Sequence, residues 1–146
     1  MMIKDIEVNL NKDVDNSDND YVRESLIKSN LNKMPTKQNP SPEMYNLIIK
    51  SNQGVIIGGI LGLMDRYCYY IDKLWVDERY RGQGLGRKLI DDIEIILKKK
   101  GCKLMCVDTF GFQAPEFYKK MGFETFGILD GYPEKIELLY MKKTIE

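Results

Sequence analysis

The chain contains no histidine. That absence removes Ser-His and Cys-His nucleophilic machinery, and it leaves three cysteines too few to suggest a zinc site. Net charge is missing as well. Lys+Arg and Asp+Glu both number 22, whereas a general nucleic-acid binder is basic. Cys68, Cys102 and Cys106 lack a paired framework spacing and read as small buried hydrophobes in a reducing cytosol. No apolar run approaches the length of a membrane span, and no segment resembles a signal peptide. Neither nucleic acid nor membrane is therefore an expected partner, and the cytoplasm is the expected location. With 146 residues, 43% of them hydrophobic, the chain suffices for one domain, 1–146, whose core needs neither disulfide nor metal.

Against those absences one stretch stands out: Arg81-Gly82-Gln83-Gly84-Leu85-Gly86-Arg87-Lys88. It follows an apolar run, Ile71 to Val76, and leads into an amphipathic segment, Leu89 to Lys100. Alternate glycines at a strand-to-helix corner leave main-chain N–H groups with no side chains in front of them. A helix start adds unpaired amides and the positive end of its dipole. This combination predicts a phosphate or pyrophosphate site.

The rest of the chain reads as a mixed α/β (α+β) domain. Ile3, Val8 and Leu10 lie in a first strand-like segment. Asn11 to Asp20 reads as a solvated loop with capping capacity, and Tyr21 to Leu31 as a short helix. Asn32 to Pro42 carries prolines and reads as a connector or a loop over a substrate mouth. Met44 to Lys50, Val55 to Met64 and Tyr67 to Val76 form an expected antiparallel meander. Gly58, Gly59 and Gly62 inside it predict a bulge or a close backbone approach. After the glycine loop, Ile90, Ile93, Ile96 and Leu97 give a helix one apolar stripe, which Gly101 closes. Lys103 to Thr109 is a strand and Ala114 to Met121 a short helix. Phe123 to Leu129 and Ile136 to Lys142 form a last strand pair.

Two familiar phosphate loops fit poorly. A Walker loop needs Gly-Lys-Ser/Thr, but Arg87-Lys88 is followed by Leu89. A dinucleotide fingerprint places its third glycine one position later than Gly86 and sits in a leading βαβ unit. The pattern R-x-x-G-x-G over Arg81 to Gly86 instead resembles the acyl-CoA pyrophosphate loop of the GCN5-related N-acetyltransferase (GNAT) superfamily. DKLWVDERYRGQGLGRKLI, from Asp72 to Ile90, is similar to that family's fourth strand, loop and third helix. APEFYKKMGFE, from Ala114 to Glu124, is similar to its second conserved block. The two blocks lie in the family's order with a strand between them, and the resemblance covers roughly residues 43 to 143.

The resemblance implies a sheet whose antiparallel N-terminal meander leads to parallel, splayed fourth and fifth strands with flanking helices. The pantetheine arm of acetyl-CoA, the cosubstrate, lies in the splay. Here the two strands are Tyr69 to Val76 and Lys103 to Thr109. Backbone groups of Trp75 and Val76 would face pantetheine. Amides of Gln83, Gly84, Leu85, Gly86, Arg87 and Lys88 would cradle pyrophosphate. Arg81 and Arg87 would add charge, although by itself Arg81 reads equally as loop structure or a solvated charge. No metal is implied. The reaction is direct attack of a primary amine, on a small molecule or peptide, at the thioester carbonyl. A main-chain amide near Val76 would face the oxyanion. Tyr118, by itself a core aromatic beside Phe117, takes the role of acid to the leaving thiolate. Asp72 takes the place of a catalytic carboxylate found in several relatives, and Glu78 is the second base candidate. Both also read as surface charges. Gly111 stands where relatives often carry an asparagine that contacts the CoA arm, with Thr109 and Gln113 as substitutes.

Acceptor contacts are expected among Tyr21, Tyr45, Tyr67, Tyr70, Trp75 and Tyr132. Aromatics beside carboxylates suit a cationic amine, although tyrosines also pack cores. Asp13, Asp15, Asp18 and Asp20 add acidic charge that is also typical of a solvated loop. Family analogy extends to a homodimer. The competing readings are a non-catalytic acyl-CoA sensor or interaction module on the same fold, and a nucleotide-binding protein of another class.

Overall fold

A computed structural model describes residues 1–33 and 41–146. Most of the expected connector, Asn32 to Pro42, lies outside the described residues. The chain divides into two compact units, Met1–Gln38 and Asn39–Glu146.

In the first unit the expected first strand is a small hairpin, β1 (Met2–Ile3) and β2 (Ile6–Glu7). Lys4 and Asp5 turn it at φ 49° and 65°. Two consecutive positive φ values match the turn whose twist suits a hairpin. Leu10 is exposed beyond it. The helix α1 spans Asn16–Leu31 rather than starting at Tyr21. Asp15 is the reason: its side chain accepts from the Asp18 amide at 2.9 Å while Asp18 reaches back to the Asp15 amide. This reciprocal box starts the helix inside the segment expected to be loop.

The second unit is a seven-stranded mixed sheet. The strand expected from Met44 to Lys50 is two pieces, β3 (Glu43–Met44) and β4 (Leu47–Lys50), both on one edge of β5 (Ile56–Asp65). Between them the Tyr45 amide donates to the Gly62 carbonyl at 3.0 Å, and Asn46 Oδ1 accepts from the Gly62 amide at 3.1 Å. Arg66 and Tyr67, again both at positive φ, turn β5 into its antiparallel partner β6 (Cys68–Val76). The helix α2 (Leu85–Lys99) starts four residues before Leu89, because Gly84 at φ +83° breaks the chain into helix there. The strand β7 (Leu104–Phe110) lies parallel to β6, and the helix α3 (Pro115–Lys120) follows. The sheet closes with β8 (Glu124–Leu129) and β9 (Leu138–Thr144), the latter inserted between β7 and β8. A 3-10 turn at Pro133–Lys135 delays β9 past the expected Ile136.

The core lies between α2 and the sheet. Leu89, Ile90, Ile93 and Leu97 are buried on one helix face, against Ile60, Met64, Tyr69, Ile71, Met105 and Met141. Each such aliphatic side chain contributes about 1.5–3 kcal/mol on burial. Leu89 replaces Ile96 in the fully buried stripe. Ile96 only half-buries at its margin.

Candidate active site

The strands β6 and β7 are joined at only three rungs, Cys68–Leu104, Tyr69–Met105 and Tyr70–Cys106. Beyond them β6 continues to Val76 along β5, and β7 continues to Phe110 along β9. The sheet is therefore split from Ile71 onward. The cause is local. Lys73 stands opposite Leu61 and Ile71 opposite Gly62, so Asp72 is the extra residue of a bulge. A bulge bends and twists its strand, and this one falls just past the last shared rung.

The register also decides which groups face the gap. The Asp77 amide donates to the Ile57 carbonyl at 2.8 Å. In an antiparallel pair, residues that bond across the ladder alternate with residues whose backbone groups point away. Counting back from Asp77, Trp75 and Lys73 bond to β5, whereas Val76 and Leu74 turn their N–H and C=O groups into the gap. The backbone of Trp75 is thus spent within the sheet, a correction to the expected pair. Leu74 takes its place, and only the side chain of Trp75 reaches the site.

A cavity of about 740 Å³ opens at this split end, between the glycine loop and α3. Of the expected loop residues, Arg81, Gly84, Leu85, Gly86 and Arg87 line it, together with Trp75 and Val76 from β6. Gly82 and Gly84 hold φ +74° and +83° with open space where a Cβ would stand. That backbone conformation suits glycine, and the bare surface lets a ligand approach the main chain. Among the described residues, the amides of Gly82 through Arg87 have no hydrogen-bond partner. Lys88 does not join them. Its amide donates to the Gly84 carbonyl at 2.9 Å, and its ammonium pairs with Asp92 at 2.7 Å. Gln83 lies in the loop but outside the cavity lining.

Arg81 has a structural part. Its Nε donates to the Val76 carbonyl at 2.9 Å, which ties the loop to the end of β6. Just upstream, Asp77 caps the 3-10 turn Glu78–Tyr80 by accepting from the Arg79 amide at 2.9 Å and pairs with its guanidinium at 2.8 Å. The Arg79 side chain and amide hold the Asp77 carboxyl down to about 2. Among the described residues, the cations of the lining are Arg81, Arg87 and Lys120, and no carboxylate lines the cavity. Arg87 and Lys120 have no ion pair among the described residues, whereas neighbouring Lys119 is held by Glu116 at 3.0 Å. The field favours an anion.

Tyr118 is buried on α3, edge-on to Phe117 at 5.2 Å and Phe123 at 5.4 Å. Its hydroxyl has no hydrogen-bond partner among the described residues, where no fully buried polar side-chain atom lacks one. The oxygen therefore opens onto accessible space. Burial, and secondarily the charge of Asp108, push the phenol up to about 12. Tyr118 does not itself line the cavity, but Phe117 and Met121 on either side of it do.

The remaining candidates separate cleanly. Gln113 lines the cavity, and its Oε1 accepts from the Phe110 amide at 2.9 Å, so it seals the end of β7. The Thr109 hydroxyl is occupied by the Ala114 amide at 3.3 Å and lies outside the lining. Gly111 donates to the Glu137 carbonyl at 3.0 Å. Asp72 is exposed, paired with Lys73 at 2.9 Å, and Glu78 sits on the 3-10 turn. Neither lines the cavity. Of the aromatic acceptor candidates only Trp75 lines it. Tyr45 donates to Glu43 at 2.6 Å, and Tyr132 packs edge-on to Phe110. Tyr21 and the aspartates Asp13 to Asp20 belong to the first unit. Sequence reading missed Tyr80, Phe112, Phe117 and Lys120. The spacing of Phe117 and Lys120 on one short helix face was the available signal. Among the described residues no group of three or more potential ligands stands together for a metal, and no helix is long and apolar enough to cross a membrane.

Comparison with known proteins identifies the family and the fold. A family model described as the acetyltransferase (GNAT) family matches residues 13–123. The blasticidin-S acetyltransferase of Streptomyces morookaense is 33% identical over 107 residues, covering 73% of this chain and 79% of the relative. A crystal structure of an acetyltransferase from Bacillus cereus superposes with a TM-score of 0.84 at 34% identity, over 93% of this chain and 97% of that one. A Bacillus anthracis structure, described as a candidate streptothricin acetyltransferase in complex with acetyl coenzyme A, shares the fold with a TM-score of 0.63 at 23% identity, over 77% and 66% of the two chains.

Proposed function

The chain belongs to the GNAT family of acetyltransferases, and from that membership we propose that it moves an acetyl group from acetyl-CoA to a primary amine of a small molecule or peptide. The observation that carries the reading is the row of unpaired amides, Gly82 to Arg87, beside a split sheet edge, in a cavity whose charged lining side chains among the described residues are all cations. This donor set suits a pyrophosphate. The amides of Gln83 to Arg87 hold it, and Arg81, Arg87 and Lys120 add charge. The gap-facing groups of Leu74 and Val76 receive the amide-bearing arm as an added strand. The Val76 N–H, whose carbonyl is anchored by Arg81, faces the oxyanion. The Gln113 side chain substitutes for the missing asparagine at the end of β7.

Tyr118 serves as hydrogen-bond donor to the departing sulfur. A phenol raised to about 12 is neutral throughout the working pH range and keeps its proton available to a forming thiolate. Asp72, at the bulge where the strands part, is the assigned base, supported by that position alone. An alkylammonium acceptor, with a pKa of about 10, has to lose a proton before it attacks. The three free thiols fit the cytoplasm.

The test is release of free CoA thiol across a panel of polyamines, aminoglycosides, nucleoside antibiotics and peptide N-termini. Calorimetry with acetyl-CoA runs alongside. Binding with amine-dependent release is the expected result. Binding without release on any amine would favour a sensor, and no heat with millimolar acetyl-CoA would remove the proposal.

A further inference from the structure

We propose that Cys68 and Cys106 form an oxidisable dithiol, closed by a peroxide into a disulfide that bolts β6 to β7 at the base of the gap. The Sγ atoms stand 3.3 Å apart, on adjacent parallel strands, both on the sheet face away from α2. Cys68 pairs in register with Leu104, and Cys106 with Tyr70. The two thiols therefore bracket the only three rungs that join the strands before they part. Cys102 is not in this pair: its thiol is directed to the carbonyls of Tyr67 and Leu104, at 3.3 and 3.2 Å.

The chemistry divides by exposure. Cys106 is half-buried and Cys68 buried. Burial, then the neighbouring Cys106, push the Cys68 thiol up to about 12, which leaves it a poor first nucleophile. The Cys106 thiolate attacks one peroxide oxygen, the O–O bond breaks, and hydroxide leaves to give a sulfenic acid. The Cys68 sulfur then attacks the sulfenic sulfur. Its own proton and the sulfenic hydroxyl leave as water, and the S–S bond forms. The two thiols are oxidised and the peroxide is reduced to water. The pair is diagonal, two positions apart in the parallel register, so closing from 3.3 Å to a bond of about 2.05 Å draws the two strand backbones together as well as turning the side chains.

The experiment treats reduced protein with hydrogen peroxide, blocks remaining thiols with an alkylating agent, and maps peptides without reductant by mass spectrometry. The expected result is a peptide linking Cys68 to Cys106, reversed by dithiothreitol, with Cys102 alkylated. Two of the three thiols are lost to titration. C106S removes the linkage and C102S keeps it. Alkylation of all three cysteines in the treated wild type would overturn the proposal. So would a bridge through Cys102 or between chains, or sulfinic acid at Cys106 with Cys68 alkylated. None of these readouts depends on acetyl-CoA binding, so they judge the dithiol separately from the proposed transfer reaction.

Discussion

The ring of Tyr69 lies across Gly62: a Cβ built on that glycine would stand 2.3 Å from Tyr69 Cζ. The ring cannot swing aside, because it is fully buried and its hydroxyl donates to the Tyr45 carbonyl at 2.8 Å. Gly62→Ala forces a choice between the sheet and that hydrogen bond. It is expected to cost about 1–3 kcal/mol or more by overpacking, read as a lower urea midpoint. A variant as stable as the parent would mean that the close approach does not constrain this corner.

Tyr118→Phe removes one oxygen from a buried ring and leaves its packing intact. Turnover is expected to fall on the order of 100-fold, while calorimetric affinity for acetyl-CoA stays within roughly twofold of the parent. Equal turnover in the two proteins would take Tyr118 out of the chemistry.

Gly84→Ala places a side chain at φ +83°, at the centre of the amide row. The left-handed conformation costs about 1–2 kcal/mol of stability. The lost contact to a charged phosphate raises the dissociation constant of acetyl-CoA roughly tenfold to 100-fold. Titration calorimetry on folded variant separates the two effects, and an unchanged affinity would move the pyrophosphate elsewhere.

Arg81→Met breaks the tie from loop to strand and leaves the Val76 carbonyl without its donor. Arg81→Lys keeps the charge but loses the fixed donor fork. Both variants are expected to bind acetyl-CoA at least about tenfold more weakly, in line with the loss of an interaction worth 1.5–3 kcal/mol. Full rescue by lysine would reduce Arg81 to a point charge.

Alkaline stability follows from groups that the fold keeps protonated, Tyr118, Cys68, Tyr69 and Cys102 among them. In the fold Tyr118 and Cys68 both rise to about 12, from ordinary values of 10.0 and 9.0. The folded state holds these protons more tightly than the unfolded chain does. Their stabilising contribution is therefore complete below pH 9 and is lost as the pH climbs toward 12. Urea midpoints should fall over that window, and Tyr118→Phe should flatten the fall above pH 10. A parent profile that is level across the window would contradict both shifts.

Much of this was legible in residue order. The glycine loop, the apolar stripe of α2 and the block around Tyr118 each carry a local pattern that survives folding. Gly58, Gly59 and Gly62 announced the crowding that the sheet confirms: a Cβ on Gly59 would meet the Leu47 carbonyl at 3.0 Å. What was not legible depends on register. Whether Trp75 or Leu74 faces the gap turns on a single count along β5, and the bulge at Asp72 shifts that count by one. Helix starts were misplaced for a related reason. Asp15 and Gly84 act through backbone geometry that composition does not encode. The Lys88 amide was lost to the helix once Gly84 became its cap. The Thr109 hydroxyl is taken by the Ala114 amide, five positions on, a pairing that follows from the fold and not from residue order.

The parting of β6 from β7 has a consequence for handling the protein. It creates two strand borders in the middle of a sheet, tied at their ends by Arg81 and Gln113, rather than at its rim, where charges and short strands usually blunt them. Any extended peptide of suitable width can compete for that slot, including a segment of a neighbouring molecule. Coenzyme filling the slot would then act as a chaperone against strand invasion, so concentrated stocks prepared without it should be the ones that cloud.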